Sequence, residues 1–192
     1  MQVTKSKING YILAGGKSSR MGTDKGLMHF HGKPMIVHVI EQLKPAVDKI
    51  VIVSNYAEYE KFGFEVVTDL IKNIGPAGGI FTALSHTDTE KNVMVSCDIP
   101  FIKTEAVRFL IEFAEEHEIV LPVFKNNPEP LFGMYSKSCQ TKWKEWIDKG
   151  IYKLTDLAGH FSLLLVDVDG NEFFGEDSFK NFNSLSDFDE HI

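Results

Sequence analysis

Apolar residues fall in short runs along the chain, and the runs set the frame. Ile8 to Leu13, Ile50 to Val53, Glu65 to Thr68, Asn92 to Ser96, Ile119 to Phe124, Leu131 to Tyr135 and Leu163 to Val168 read as strands. Short, nearly continuous apolar stretches of this kind suit strands buried in a sheet. Helical spacing lies between them. Met35, Ile36, Val39, Ile40 and Leu43 share one face, with Pro34 placed at the first turn and Pro45 as the stop. Gly75-Pro76-Ala77-Gly78-Gly79 reads as a turn opening a helix over Ile80, Phe81, Ala83 and Leu84, and Thr104 as the cap of a helix over Val107, Leu110, Ile111 and Phe113. Ser138 to Asp148 reads as a helix stopped at Gly150, with shorter helices at Tyr56 to Lys61 and Lys153 to Leu157. Met28 to Phe30 reads as a short extended piece ended by Gly32-Lys33-Pro34, Asn126-Asn127-Pro128 as a turn, and Phe173, Phe174, Phe179 and Phe182 as an aromatic tail before a terminal helix capped by Ser186. Strands alternating with helices predict a three-layer α/β fold with a mostly parallel sheet, in which Leu131 to Tyr135 returns antiparallel.

Such sheets bind ligands at the carboxyl ends of their strands. Four candidate positions fall there: Gly15-Gly16, Asn55, Asp69 and Asp98. The first strand runs straight into Leu13-Ala14-Gly15-Gly16-Lys17-Ser18-Ser19-Arg20-Met21-Gly22-Thr23-Asp24-Lys25. Adjacent glycines leave the amides bare, and Lys17, Arg20 and Lys25 follow with positive charge. Bare N–H donors and then cations suit a polyphosphate. The loop is not a Walker A motif, because position 11 is Tyr11 where that pattern needs its first glycine. The spacing of its glycines also excludes the Gly-x-Gly-x-x-Gly dinucleotide pattern. Asp98 follows an apolar strand and precedes Pro100. One carboxylate beside a triphosphate is a sufficient protein share of a Mg²⁺ site, since this ion prefers carboxylate and phosphate oxygens.

Length and composition fit one domain over residues 1–192. A formal charge of −7 and a pI near 5.5 argue against nucleic acid as a partner. Cys97 and Cys139 form no CxxC pair, the polar Met1 to Lys7 is too short for a signal peptide, and no apolar run approaches a membrane span. A cytoplasmic protein without membrane attachment is expected. The histidines show no metal-ligand spacing, and His29 and His31 read as strand-surface residues. Cys97 reads as a small buried thiol rather than a nucleophile, having no evident base beside it.

The thirteen residues Leu13 to Lys25 resemble the nucleotide loop of the molybdenum cofactor guanylyltransferases, the MobA-type branch of the nucleotidyltransferase superfamily. That pattern runs Leu-Ala-Gly-Gly, Ser, Arg-Met-Gly and Asp-Lys with short spacers. Cys97-Asp98-Ile99-Pro100 is similar to the family's magnesium-binding segment, and Gly75-Pro76-Ala77-Gly78-Gly79 to its Gly-Pro-Leu-Ala-Gly, with a mild departure. Asn181-Phe182-Asn183-Ser184 resembles its Asn-x-Asn-Thr, with Leu185 where the family has Pro. The resemblance implies a Rossmann-like nucleotidyltransferase fold with a nucleotide-binding half (1–100) and a pterin or acceptor half (101–192). It implies a Mg²⁺-dependent enzyme that moves GMP from GTP to molybdopterin. Arg20, Lys25 and Asp98 would be catalytic, with Asp98 the metal ligand. Leu13, Ala14, Gly15, Gly16, Lys25, Asn55, Asp69, Gly78 and Asp98 would hold the nucleotide. Lys153, Asn181 and Asn183 would hold the acceptor, near Glu129-Pro130-Leu131. Transient contact with proteins of molybdenum-cofactor synthesis or with acceptor proteins is a further implication. Two alternatives stay open: a sister enzyme using CTP or a sugar phosphate, and a non-catalytic nucleotide- or cofactor-binding adaptor.

Overall fold

The computed structural model describes residues 6–15 and 24–180. Its elements follow in chain order. β1 (Ile8–Leu13) leads through a 3₁₀ turn (Lys25–Leu27) to the small hairpin of β2 (His29–Phe30) and β3 (Lys33–Pro34). Then come α1 (Met35–Leu43), β4 (Lys49–Val53), a 3₁₀ segment (Ala57–Phe62), β5 (Glu65–Val67), α2 (Pro76–His86) and β6 (Lys91–Ser96). The remainder is α3 (Thr104–Ile111), β7 (Ile119–Phe124), β8 (Asn127–Pro128), β9 (Phe132–Ser136), a 3₁₀ turn (Lys137–Cys139), α4 (Gln140–Asp148), α5 (Leu154–Ala158) and β10 (Leu163–Asp167).

Among the described residues one sheet has eight strands, ordered β10-β7-β9-β6-β1-β4-β5 with β8 beside β7. β1 pairs in parallel with β4 on one side and β6 on the other. β5 extends the parallel set, and β10 lies parallel to β7. β9 runs antiparallel to both its neighbours, as the sequence predicts, and short β8 is antiparallel to β7. The chain therefore winds outward from β1 in both directions. That reversal opens a crevice at the carboxyl ends of β1, β4 and β6.

Alternation along β1 explains the layers. Ile8 and Ile12 enter a core with Ile36, Val39 and Leu43 of α1 and Val107 and Leu110 of α3. Tyr11 faces the opposite core with Ile80, Ala83 and Leu84 of α2, Trp143 of α4 and Leu157 of α5. With helices on both sides, β1, β4 and β6 are buried over almost their whole length, so their sequences run apolar rather than alternating. Trp143 is wholly buried, and its Nε1 donates to the Ala77 carbonyl at 3.1 Å, which satisfies the one polar atom of a large side chain. The aromatic tail closes the first core: Phe174 and Phe179 pack on Phe132, and Phe173 and Phe174 on Phe109. Phe182 and the Ser186 helix lie outside the described residues.

Several local expectations are corrected. Thr104 is not a cap. Lys103 is the residue before α3, and the Thr104 hydroxyl donates to the Gln42 carbonyl at 2.8 Å, tying α3 to α1. Pro34 ends β3, immediately before α1, rather than sitting in its first turn. The turn expected at Asn126-Asn127-Pro128 lies one residue earlier, at Lys125 and Asn126, both with positive φ, while Asn127 and Pro128 pair with β7. His31 is a turn residue with φ of 45°, not a strand residue. The short helix expected at Tyr56 to Lys61 is present, as 3₁₀ structure over Ala57–Phe62.

Candidate active site

β1 ends in a glycine turn. Gly15 has φ of +85°, and a Cβ there would stand 2.9 Å from the Tyr56 ring, so two independent constraints demand glycine. Backbone bonds extend the strand ends past the sheet proper. Ala14 N–H donates to Val53 O at 2.9 Å, Cys97 N–H to Leu13 O at 3.1 Å, and Ser96 N–H to Leu131 O at 2.8 Å. The result is a rigid floor from which side chains rise into one cavity of about 520 Å³. Leu13, Ala14, Gly15, Lys25, Asn55, Asp69 and Asp98 all line it. The convergence of four strand ends expected from the sequence is thus present. Gly16, Arg20, Asn181 and Asn183 lie outside the described residues.

At one end of the cavity stand Lys25 and Asp98. Their charged atoms are 3.6 Å apart, and each side chain is under one-fifth exposed. The other Asp98 oxygen accepts from the Ser96 hydroxyl at 2.5 Å, a charge-assisted bond that fixes the carboxylate plane. Beneath them lies the Cys97 thiol. Burial first, then the Asp98 and Asp24 carboxylates, push it far above the usual thiol range. It is inert, as expected from the sequence. Asp24, which also lines the cavity, has one carboxylate oxygen, Oδ2, that is buried without a hydrogen-bond partner among the described residues.

At the other end stand Asn55 and Asp69, from the loops after β4 and β5. The Asn55 amide donates to Asp69 at 2.7 Å, and Asp69 N–H donates back to Asn55 Oδ1 at 3.3 Å. Burial raises the Asp69 carboxyl above the ordinary range, while the Asn55 bond and Lys72 oppose that rise. Asp69 thus presents a partly desolvated acceptor, the kind of group that pairs with N–H donors of a base or hydroxyls of a ribose.

The α2 glycines require a correction. Gly78 does not line the cavity; a Cβ there would come within 2.5 Å of the Ile71 carbonyl. Its bareness lets the loop after β5 lie on α2, where Thr82 Oγ1 also accepts from Leu70 N–H at 3.0 Å. The glycine that faces the ligand space is Gly79, whose Cβ would be 3.4 Å from Leu13 and 3.8 Å from Asp69. Sequence reasoning also missed Asp24, Tyr56, Lys72, Asn73 and Ser96, which share the lining. Asp24 carried a signal, since it sits beside Lys25 in the loop motif.

A second cavity of about 310 Å³ adjoins the first through Ser96 and Leu131. Glu129, Pro130, Lys153 and Thr155 line it. Lys153 is exposed and bridges to Asp156 at 3.1 Å, whereas burial raises the Glu129 carboxyl. Lys153 therefore lies at a cavity, but not the one that holds Lys25 and Asp98.

Residues 10–161 match the family model described as the MobA-like NTP transferase domain. A protein of Flavobacterium johnsoniae named as a probable molybdenum cofactor guanylyltransferase is 37% identical over 183 residues, covering 95% of this chain and 96% of the relative. The molybdenum cofactor guanylyltransferase of Vibrio parahaemolyticus is 40% identical over 148 residues, covering 74% and 75%. The crystal structure of molybdopterin-guanine dinucleotide biosynthesis protein A from Archaeoglobus fulgidus superposes with a TM-score of 0.80 at 26% identity, covering 95% of this chain and 96% of that one. With a nucleotide-sized crevice at the switch point of its sheet and a family match over most of its length, the chain belongs to the MobA-like NTP transferases.

Proposed function

We propose that the protein transfers GMP from GTP to the terminal phosphate of molybdopterin, forming the guanine dinucleotide form of the molybdenum cofactor. The observation that carries this reading is the Lys25–Asp98 pair in the larger cavity, with Asp98 bonded to Ser96, one of the two residues through which the smaller cavity adjoins. The nucleotide would lie along the larger cavity, base and ribose toward Asn55 and Asp69, phosphates over Gly15 and toward Lys25. The acceptor would enter the smaller one, past Glu129 and Lys153. This division agrees with a nucleotide-binding half followed by an acceptor half. Gly16, Arg20, Asn181 and Asn183 keep the roles that the family pattern gives them, Arg20 as a further cation toward the pyrophosphate and the two asparagines toward the acceptor.

An oxygen of the molybdopterin phosphate attacks the α-phosphorus of GTP. The bond from that phosphorus to the bridging oxygen breaks, and pyrophosphate leaves with its electron pair. The nucleophile is already ionised at neutral pH, so no general base is required. This agrees with an inert Cys97. The work left to the protein is alignment and charge balance.

The residues suit Mg²⁺. Among the described residues no three His, Cys, Asp or Glu side chains group closely enough to hold an ion by themselves. Asp98 instead offers one oriented carboxylate, and Mg²⁺ takes one or two carboxylates plus phosphate oxygens and water. When bound, the ion would draw charge from the phosphates. Ser96 holds the plane of Asp98, and Lys25 sits where it can exchange its contact with that carboxylate for a phosphate oxygen.

Thermal shift with GTP, CTP and UTP in the presence of Mg²⁺ tests the base assignment. Stabilisation by GTP over CTP is expected. Stabilisation by CTP alone would assign the chain to a cytidylyltransferase reaction instead.

A further inference from the structure

The turn that carries Lys25 is anchored by a residue with no part in the chemistry above. Asp24 precedes the lysine. Its Oδ1 accepts from Gly26 N–H at 3.0 Å, closing the 3₁₀ turn, and from the Tyr59 hydroxyl at 2.7 Å. Tyr59 is completely buried. Burial, then Cys97 and Asp24, drive its hydroxyl far above the usual tyrosine range, so it remains a donor at any working pH. Gly26 seals the contact, because a Cβ there would overlap the Tyr59 hydroxyl and stand 2.8 Å from Cys97 Sγ. Lys25 is thus flanked by two residues locked to the protein interior. The second Asp24 oxygen has no partner among the described residues. Two bonds to Oδ1, from Gly26 N–H and the Tyr59 hydroxyl, tie this carboxylate to the turn and to the interior.

Tyr59 reaches Asp24 from an informative direction. It belongs to the 3₁₀ segment Ala57–Phe62, which leaves β4 just after Asn55 and Tyr56. Both line the cavity; Asn55 is bonded to Asp69, and Tyr56 stands against Gly15. β5, β4, β1 and β6 stand side by side, so the strands that lead to Asp69 and Asp98 are three spacings apart, roughly 14 Å. The stretch from Asn55 to Tyr59 therefore meets the nucleoside end of the cavity through Asn55 and holds the lysine turn at its phosphate end through Tyr59. We propose that Tyr59 is a positioning residue for Lys25: its hydrogen bond to Asp24 fixes the lysine-bearing turn against the segment that contacts the nucleoside, and so sets Lys25 for the triphosphate. The inference rests on the reading that the triphosphate runs along this cavity. It does not depend on which base or acceptor is used.

A double-mutant cycle on nucleotide binding tests it. Wild type, Tyr59→Phe, Lys25→Ala and the double variant are titrated with Mg·GTP and with GMP by calorimetry. Tyr59→Phe keeps the buried ring and removes only the donor. It is expected to weaken GTP binding about tenfold, the size of one lost hydrogen bond. GMP binding should weaken less than about twofold, and Tyr59→Phe in the Lys25→Ala background should cost less than about twofold. Equal weakening of GTP and GMP, the same loss in both backgrounds, or no loss would make Tyr59 a packing residue only and overturn the proposal. If Tyr59→Phe does not fold, Asp24→Ala removes the acceptor of the same bond and the same cycle decides. A wild type that prefers CTP refutes the guanine assignment alone, and the cycle then runs with CTP and CMP. A wild type that binds no nucleoside triphosphate overturns both readings.

Discussion

Alanine at two adjacent glycines should move stability and ligand binding in opposite directions. Gly78 and Gly79 both lie in the first turns of α2, where glycine is about 1 kcal/mol worse than alanine. At Gly79 the added methyl meets Leu13 at 3.4 Å and Asp69 at 3.8 Å, ordinary contact distances. Gly79→Ala should keep most of the helical gain, raising Tm by about 2–4 °C for a domain of this size. The same methyl occupies the cavity floor beside Asp69, so GTP affinity should fall several-fold. At Gly78 the methyl meets the Ile71 carbonyl at 2.5 Å and Ile74 at 3.0 Å. Backbone cannot yield as a side-chain tip does. A clash with backbone belongs at the upper end of overpacking costs, about 2–3 kcal/mol, which exceeds the helical gain by about 1–2 kcal/mol, and Tm should fall by about 2–8 °C. Thermal unfolding with and without GTP reads both effects. A lower Tm for Gly79→Ala with full GTP affinity, or a higher Tm for Gly78→Ala, would refute the assignment of Gly79 to the ligand and Gly78 to packing.

Other outcomes follow from the same geometry. Burial raises the Asp69 carboxyl, so between its unfolded and folded pKa the native state binds more protons than the unfolded one, and stability falls as pH rises through that window. Asp69→Asn should raise Tm at pH 7, with a gain that fades on acidification, while weakening GTP binding; an unchanged Tm at pH 7 would show that Asp69 carries no desolvation penalty. Cys97 and Cys139 are buried, with Cys139 pushed up to about 12 by desolvation first. Neither thiol should react with Ellman's reagent until the protein is denatured, and rapid labelling of native protein would contradict their placement.

Much of this fold was legible because its strands carry their own signal. Ile50 to Val53 is buried on both faces and reads apolar without a break, and Asn55, Asp69 and Asp98 follow such runs at positions the topology brings together. What the sequence hid depends on contacts between distant segments. Thr104 has the look of a cap, but its hydroxyl is taken by Gln42 of the neighbouring helix. Gly78 and Gly79 differ by only about 100° of helical rotation, and nothing local tells which one faces the crevice. Lys125 and Asn126 form the tight turn between β7 and β8 through positive φ at both, with no glycine to announce it. Tyr59 resembles any aromatic on a short surface helix until its hydroxyl is seen against Asp24. Asp24 itself stood in plain view beside Lys25, yet its part in holding the turn belongs to the tertiary structure.

The most direct test of the central claim follows the α-phosphate. Wild-type protein with Mg²⁺, molybdopterin and GTP labelled at the α-phosphorus should transfer the label to the pterin with one pyrophosphate released per transfer, and Asp98→Asn should abolish that transfer while remaining folded. Label that stays with the nucleotide in the wild type, or transfer that persists in Asp98→Asn, would contradict the account.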